Sequence, residues 1–186
     1  VLPEYRGRAY EVKWQPAAAG ANELSLSGSG PAGLQLTRRI SLAGDEAVAH
    51  TVTTVENAGS APIRVALQAR AEYSPRDDLD GRLLALRYRS ENGSAFDAPL
   101  FQAGQETSGN ATLIGPQRPA ESWTAYHRGG VPGLVNLFRA GQVERPVMDW
   151  SLRGASVITL SLWSKEAELK PGEKLAIEAG YGVARR

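Results

Sequence analysis

Cysteine is absent from the 186 residues of this chain. Disulfide bridges, thiolate zinc sites and a cysteine nucleophile are therefore excluded. A chain without cysteine suits an oxidising compartment, where stray thiols would mispair. We therefore expect an extracytoplasmic location, either periplasmic or secreted.

Histidine is almost as scarce, since only His50 and His127 occur. A metal site made of side chains would need both of them together with carboxylates. His50 shares the strand parity of Val48 and Val52, which favours a packed side chain with one hydrogen bond. The chain also lacks a Gly-x-Ser-x-Gly motif and the glycine motifs that bind phosphates or dinucleotides. The sequence thus predicts no metal and no cofactor.

Neither sign of charge dominates, because 21 basic residues stand against 20 acidic ones. Without a block of like charge, a nucleic-acid partner is not expected. No apolar run reaches the roughly 20 residues that span a membrane as a helix. The chain starts Val1-Leu2-Pro3, with neither an initiator methionine nor a signal peptide. We expect one domain over residues 1–186, processed or excised from a longer chain.

Short apolar runs of period two, separated by turn-forming residues, are what the sequence does contain. The clearest run follows the turn formers of residues 57–62. From Ile63 to Tyr73 the odd-numbered residues are apolar or aromatic, and most even-numbered ones are polar. This alternation predicts a half-buried strand. We expect two antiparallel strands joined by this connection, with the odd-numbered face of the second in the core.

The same alternation recurs elsewhere, and no stretch shows a capped apolar period of 3.6 residues. We predict an edge strand within residues 1–14, a loop at 16–20, a turn at 28–31, and an irregular segment with one or two short strands at 90–119. Further strands are predicted at residues 24–27, 34–42, 84–89, 123–126, 134–138, 158–162 and 175–183. Many short strands of this kind predict an all-β, antiparallel two-sheet sandwich.

Three passages resemble the galactose mutarotase-like (aldose epimerase-like) superfamily, whose β-sandwich is called a supersandwich. VENAGSAP at residues 55–62, with the strand that ends RAEY at 70–73, looks like the family's N-x-G-x-x-P segment and its following strand. WTAY at 123–126 and GLV at 133–135 are similar to a strand pair around a glycine turn. LKPGE at 169–173 resembles the family's L-x-P-G-E turn. The resemblance covers most of residues 34–183 and implies the supersandwich fold.

Family members that interconvert sugar anomers use a histidine as general acid and a glutamate as general base. The position that best matches the histidine holds Arg70, whose guanidinium stays protonated and cannot exchange its proton usefully. The matching glutamate would lie within Val157–Trp163, where no carboxylate occurs. The resemblance therefore implies no catalytic residue of that pair. It implies a non-catalytic carbohydrate-binding or accessory domain of an exported protein, since the fold also occurs in accessory domains of carbohydrate-active enzymes.

Arg70, Glu72 and Tyr73 are the first candidates for contact with a saccharide ligand. They end a predicted strand, where clefts rimmed by loops form, and Arg70 and Glu72 would exchange hydrogen bonds with sugar hydroxyls. The alternative is that Arg70 and Glu72 form a charge pair on a solvated face.

A second candidate group is the densest cluster of aromatic and polar residues in the chain. Aromatic rings with polar tips suit a sugar, whose C–H face packs on a ring while its hydroxyls find donors. The alternative is a core tryptophan followed by a solvated turn. The group consists of Trp123, Tyr126, His127 and Arg128.

Two other functions stay open. A sugar-active enzyme of the epimerase type would draw a rearranged acid/base set from His127, Glu72 and Asp149. A structural interaction module would dock a neighbouring domain of the parent chain through Trp163 or Trp150. The parity of Trp163 is opposite to that of the apolar residues beside it, so it should point towards solvent, a groove or a partner.

Overall fold

The computed structural model describes residues 10–42, 47–73, 84–99, 108–112, 118–127, 133–151 and 157–184. Within these ranges every regular element is a strand except two 3-10 turns, Pro31–Gly33 and Ala140–Gln142. They contain no helix long and apolar enough to cross a membrane. The strands are β1 Gln15–Ala19, β2 Glu23–Ser29, β3 Leu34–Leu42, β4 Val48–Asn57, β5 Ile63–Val65, β6 Gln68–Tyr73, β7 Leu84–Ser90, β8 Ala95–Pro99, β9 Ser108–Thr112, β10 Pro119–His127, β11 Gly133–Phe138, β12 Arg145–Ser151, β13 Val157–Trp163, β14 Ala167–Leu169 and β15 Lys174–Ala184.

The strands pair into antiparallel sheets, as the all-β prediction required. Nine strands form a large sheet in the order β1-β2-β3-β4-β15-β11-β10-β7-β8. Four more form a sheet in the order β6-β13-β12-β9, and β14 pairs with β5. The strand β15 therefore lies in the middle of the large sheet, between β4 and β11.

One hydrophobic cluster joins the large sheet to the four-stranded sheet. Leu36 and Val55, paired across β3 and β4, contribute to it from the large sheet. Leu160 and Leu162 of β13, both fully buried, contribute to it from the other side. Burying a side chain of this size stabilises the fold by about 1.5–3 kcal/mol. The core thus lies between the two sheets.

The strands on either side of residues 57–62 do not pair with each other, so the predicted hairpin is wrong. β4 pairs with β3 and β15, whereas β5 pairs with β14 and β6 with β13. The connection carries the chain from the large sheet to the other two. The predicted second strand is also interrupted at Ala66 and Leu67. Its odd-numbered face is the buried one, as predicted, with Leu67 and Ala69 in the core.

The side chain of Asn57, fully buried, fixes this crossover. Its Nδ2 donates to the carbonyl oxygens of Ala61 and Leu169, each at 2.8 Å. Its Oδ1 accepts from the backbone N–H of Gly59 at 3.0 Å. The backbone N–H of Asn57 donates to the Glu173 carbonyl at 3.0 Å. Two of the passages quoted for the resemblance, residues 55–62 and 169–173, are therefore bonded to each other.

The prediction for the N-terminal region is wrong in the part that the structure describes. Residues 10–14 form no strand, and the predicted loop at 16–20 overlaps β1, which pairs with β2. Pro16 is tolerated because an edge strand does not need every backbone donor, and the register shifts between Pro16 and Ala18. The predicted turn begins later than residue 28, since Gly28 and Ser29 belong to β2. Residues 1–9 of the predicted edge strand lie outside the described residues.

The other predicted strands are present. β2, β3, β7, β13 and β15 cover the alternating runs, and β8 and β9 are the short strands expected within residues 90–119. β10 and β11 pair antiparallel, with Trp123 opposite Asn136. Period two therefore located most strands correctly.

Candidate functional site

The four-stranded sheet carries mostly polar residues on the side away from the core, and its register arranges them in rows. Strands lie about 4.8 Å apart, so Glu72 and Asp149, on either side of Thr159, have Cα atoms about 10 Å apart. We call the following residues the polar face: Glu72, Thr159 and Asp149 in one row, Arg70, Ser161 and Val147 in the next, and Gln68, Trp163 and Arg145 in the third.

Arg70 forms an ion pair on β6, an edge strand of this sheet. Its Nη2 donates to Oε2 of Glu72 at 3.0 Å, and about half of each side chain is exposed. An exposed pair of this kind adds at most about 1 kcal/mol to stability. The fold therefore depends little on this pair. The pair is compatible with contact to a sugar and also with a simple charge pair on a solvated face.

Asp149 lies within electrostatic reach of the same guanidinium. Partial burial raises the pKa of the Asp149 carboxyl above its ordinary value, and the positive charge of Arg70 partly offsets that rise. Arg70 thus interacts with two carboxylates that come from different strands. The three groups offer a donor and two acceptors on one face.

The floor of the polar face consists of two residues with hydroxyl groups and the buried Val147. Thr159 and Ser161 are buried, and Gln68 Nε2 donates to Ser161 Oγ at 3.1 Å. At one side the guanidinium of Arg145 lies 5.3 Å from the ring centroid of Trp163. Arg145 Nε is buried without an acceptor among the described residues. Trp163 is half-buried on this face, away from the core, as its parity predicts.

Comparisons with known proteins bear on the fold. No protein-family profile matches the chain, and no curated protein matches it. Solved structures do match. The Slr1438 protein from Synechocystis sp. PCC 6803 superposes with a TM-score of 0.69 at 12% identity, over 93% of this chain and 66% of its own. A galactose mutarotase related enzyme from Lactobacillus acidophilus gives 0.65 at 8% identity, over 92% of this chain and 71% of its own. A candidate aldose 1-epimerase from Escherichia coli K12 gives 0.65 at 11% identity, over 94% of this chain and 69% of its own.

The chain has the galactose mutarotase-like fold. This confirms the fold that the three sequence passages implied. The chain spans about two thirds of the length of the structures it matches. At identities of 8–12% the match concerns the fold.

The second predicted group belongs to a different sheet of this galactose mutarotase-like sandwich. Trp123 is 0% exposed in the core, which agrees with the alternative interpretation of it. Tyr126 lies on the other side of β10, where its hydroxyl donates to Asp97 Oδ1 and the Arg87 guanidinium lies 5.1 Å from its ring centroid. The structure therefore does not bring Trp123 and Tyr126 together with Arg70 and Glu72.

The structure does not test three of the predicted ligand contacts. Arg128 and the side chains of Tyr73 and His127 lie outside the described residues. Their role in sugar binding stays a prediction, as does that of the described candidates.

Sequence reasoning missed several residues of the polar face. Thr159 and Ser161 carried a signal, because they alternate with apolar residues on β13. Arg145 carried none, since only the pairing of β12 with β13 brings it beside Trp163. Trp150, one of the two predicted docking residues, is 4% exposed and packs in the core, so it offers no docking surface.

Metal binding finds no support in the described part of the chain. There, no group of three or more histidine, aspartate or glutamate side chains could hold an ion. His50 is half-buried on β4. What the polar face offers a ligand is a set of hydrogen-bonding groups, together with the Asp149 carboxyl, whose pKa is raised.

Proposed function

We propose that this galactose mutarotase-like domain binds a saccharide on the polar face, as a carbohydrate-binding or accessory domain of an exported protein. The observation that carries the proposal is the ion pair of Arg70 with Glu72 on the face that also carries Asp149. Sugars are bound by fixed donors and acceptors next to an aromatic surface. Arg70 supplies the donors, the two carboxylates supply acceptors, and Trp163 supplies the aromatic surface.

The proposal contains no catalytic step. Arg70 occupies the position that the family resemblance matches to a general acid, and a guanidinium does not release its proton near neutral pH. The extracytoplasmic location and a neighbouring domain of a parent chain belong to the same proposal. They rest on the absence of cysteine and on the resemblance to accessory domains of carbohydrate-active enzymes.

A titration tests the proposal. Galactose, glucose and short oligosaccharides are added to the ¹⁵N-labelled chain, and we expect shift changes around Arg70 and Thr159. Arg70→Ala should weaken binding by at least about tenfold, because hydrogen bonds to a charged donor are lost. Arg64→Ala is the matched control, since Arg64 is also exposed and ion-paired, to Glu166 at 3.6 Å, but lies on β5 in another sheet.

Either of two results would contradict saccharide binding at the polar face. One is the absence of any response to every sugar, which would leave the interaction module, with Trp163 as its contact. The other is an equal loss of affinity in Arg70→Ala and Arg64→Ala.

One observation favours a second function, a sugar-active enzyme of the epimerase type. Glu72 and Asp149 lie in one row, and burial raises the pKa of Asp149 above its ordinary value, which is the direction that favours a general acid. Polarimetry would then detect faster anomerisation of a sugar in the presence of the chain. Loss of this activity in Asp149→Asn, with sugar affinity retained, would favour the enzyme, whereas an unchanged anomerisation rate would exclude it.

A further inference from the structure

Arg38 is a cation at an apolar position of β3. It shares the core-facing side of the strand with Leu36 and Ile40, and its cross-strand neighbours are Leu26 and Thr53. The residue is half-buried, and this burial lowers the pKa of its guanidinium. A buried charge costs free energy unless an opposite charge or hydrogen bonds compensate it.

The described residues compensate Arg38 only in part. Its Nε donates to Thr53 Oγ1 at 3.0 Å. The guanidinium carbon lies 4.5 Å from the ring centroid of Trp14. Within the described ranges no carboxylate forms an ion pair with it, unlike its neighbour Arg39, whose Nη2 lies 2.6 Å from Glu23 Oε2. Of the two adjacent arginines of β3, Arg39 thus has a carboxylate partner among the described residues and Arg38 has none.

The contacts of Arg38 leave one edge of the guanidinium available. Trp14 covers a flat face and Thr53 occupies Nε, so Nη1 and Nη2 have no acceptor among the described residues. A planar pair of N–H donors matches the two oxygens of a carboxylate.

The chain before β1 is placed so that Trp14 can reach Arg38. A Cβ atom at Gly28 would lie 2.4 Å from Val12 Cγ1 and 3.6 Å from Trp14 Cε3. Glycine at this position therefore allows residues 12–14 to cross β2 at close range. The stacking of Trp14 on Arg38 depends on that crossing.

Tyr181 of β15 lies on the same side of the large sheet, in the row of Ala49 and Leu42, whereas Arg38 lies in the row of Thr53. Burial raises the pKa of Tyr181 to about 12, against the opposing effect of the Arg38 charge. The hydroxyl is therefore protonated at neutral pH and lies within electrostatic reach of the guanidinium. Beyond it, Leu42 and Val183 on the same side of the sheet are 54% and 52% exposed, so the four-stranded sheet does not cover this end.

We propose that Arg38 binds the carboxylate group of a ligand on this side of the large sheet. Nη1 and Nη2 of Arg38 bind the two carboxylate oxygens. This site is separate from the polar face, which belongs to the other sheet. The ligand is an acidic sugar or an acidic side chain of a peptide, which present the same group.

The test is a calorimetric titration of the full chain with D-glucuronate and with the diamide N-acetyl-aspartate N-methylamide, while NMR follows the indole N–H of Trp14. We expect one of the two compounds to bind and to shift the Trp14 signal, and the one that binds identifies the source of the carboxylate. Arg38→Met should weaken binding by at least about tenfold, and so should Arg38→Lys, which keeps the charge but loses the paired donors.

Arg39→Met is the matched control, because Arg39 is the next residue but points to the opposite side of β3. It should change the affinity by less than about twofold. Arg70→Ala should leave the shift of the Trp14 indole N–H unchanged, because this signal reports only on the site at Arg38, and this separates the site from the polar face. Binding of neither carboxylate, binding of inorganic phosphate alone, or an equal loss in Arg38→Lys and Arg39→Met would overturn the proposal.

Discussion

Two asparagines, Asn57 at the crossover and Asn136 in the large sheet, are both 0% exposed but differ in their surroundings. Every polar side-chain atom of Asn57 has a hydrogen-bond partner. Asn136 lies opposite Trp123, and neither its amide atoms nor the indole nitrogen of Trp123 has one among the described residues. The same residue type at equal burial thus stabilises one region and costs free energy in the other.

Replacing Asn57 should have the largest effect. Asn57→Ala leaves the Ala61 and Leu169 carbonyls and the Gly59 N–H without their partner, and we expect a loss of roughly 3 kcal/mol in the free energy of unfolding. Urea denaturation followed by tryptophan fluorescence measures it. Asn57→Asp, which keeps the acceptor but loses both donors, should also destabilise. A loss below about 1 kcal/mol in both variants would show that Asn57 does not hold the crossover in place.

Replacing Asn136 should act in the opposite direction. Asn136→Leu has a similar shape and removes two unpaired polar atoms, so we expect a gain of about 1 kcal/mol in the free energy of unfolding. Asn136→Ala is the control, because it removes the same atoms but leaves a cavity, and it should gain less or lose stability. If Asn136→Leu were as damaging as Asn57→Ala, the two asparagines would not differ as described.

An exposed polar pair extends the comparison to a third environment. Arg70→Ala removes the ion pair with Glu72 in a place where water replaces the lost contact. We expect a change of less than about 1 kcal/mol in the free energy of unfolding. The same denaturation experiment measures it, with Arg64→Ala alongside. A larger loss in Arg70→Ala alone would show that the polar face supports the fold.

The smallest effect concerns the titration of Asp149. Its raised pKa means that its contribution to stability is complete below the pKa of an unfolded aspartate, near 4, and is lost as pH rises through the higher folded value. Carboxyl ¹³C shifts recorded against pH should give a midpoint above the ordinary value. In Arg70→Ala the midpoint should rise further, because the opposing charge is gone. If the midpoint did not change in Arg70→Ala, the charge of Arg70 would have no effect on the pKa of Asp149.

Period two located the buried faces but not the strand partners. Alternation identified Leu67 and Ala69 as core residues, because it depends only on which side of a strand meets water. It could not show that β6 pairs with β13, since pairing is decided by residues about 90 positions away. Pro16 predicted a loop because proline lacks a backbone N–H. An edge strand such as β1 tolerates proline, since one side of it needs no backbone hydrogen bonds.

The candidate site was predictable where its residues are neighbours in sequence. Arg70 and Glu72 share one strand, whereas Asp149 joins them only through β13. Residue type alone could not place Trp123, because an indole ring that would pack against a sugar packs equally well in a hydrophobic core. Arg38 had a signal that was missed, a charge inside the apolar parity of Leu34, Leu36 and Ile40.

The central position of β15 has a consequence for how the protein is made. All other strands of the large sheet leave the ribosome before Lys174–Ala184 do. Until then, β4 and β11 each present an open edge of unpaired backbone groups, which is a template for pairing with other chains. A chain that stops before Lys174 would consist of two half-sheets that cannot meet, and the nascent protein depends on β15 to close both edges at once.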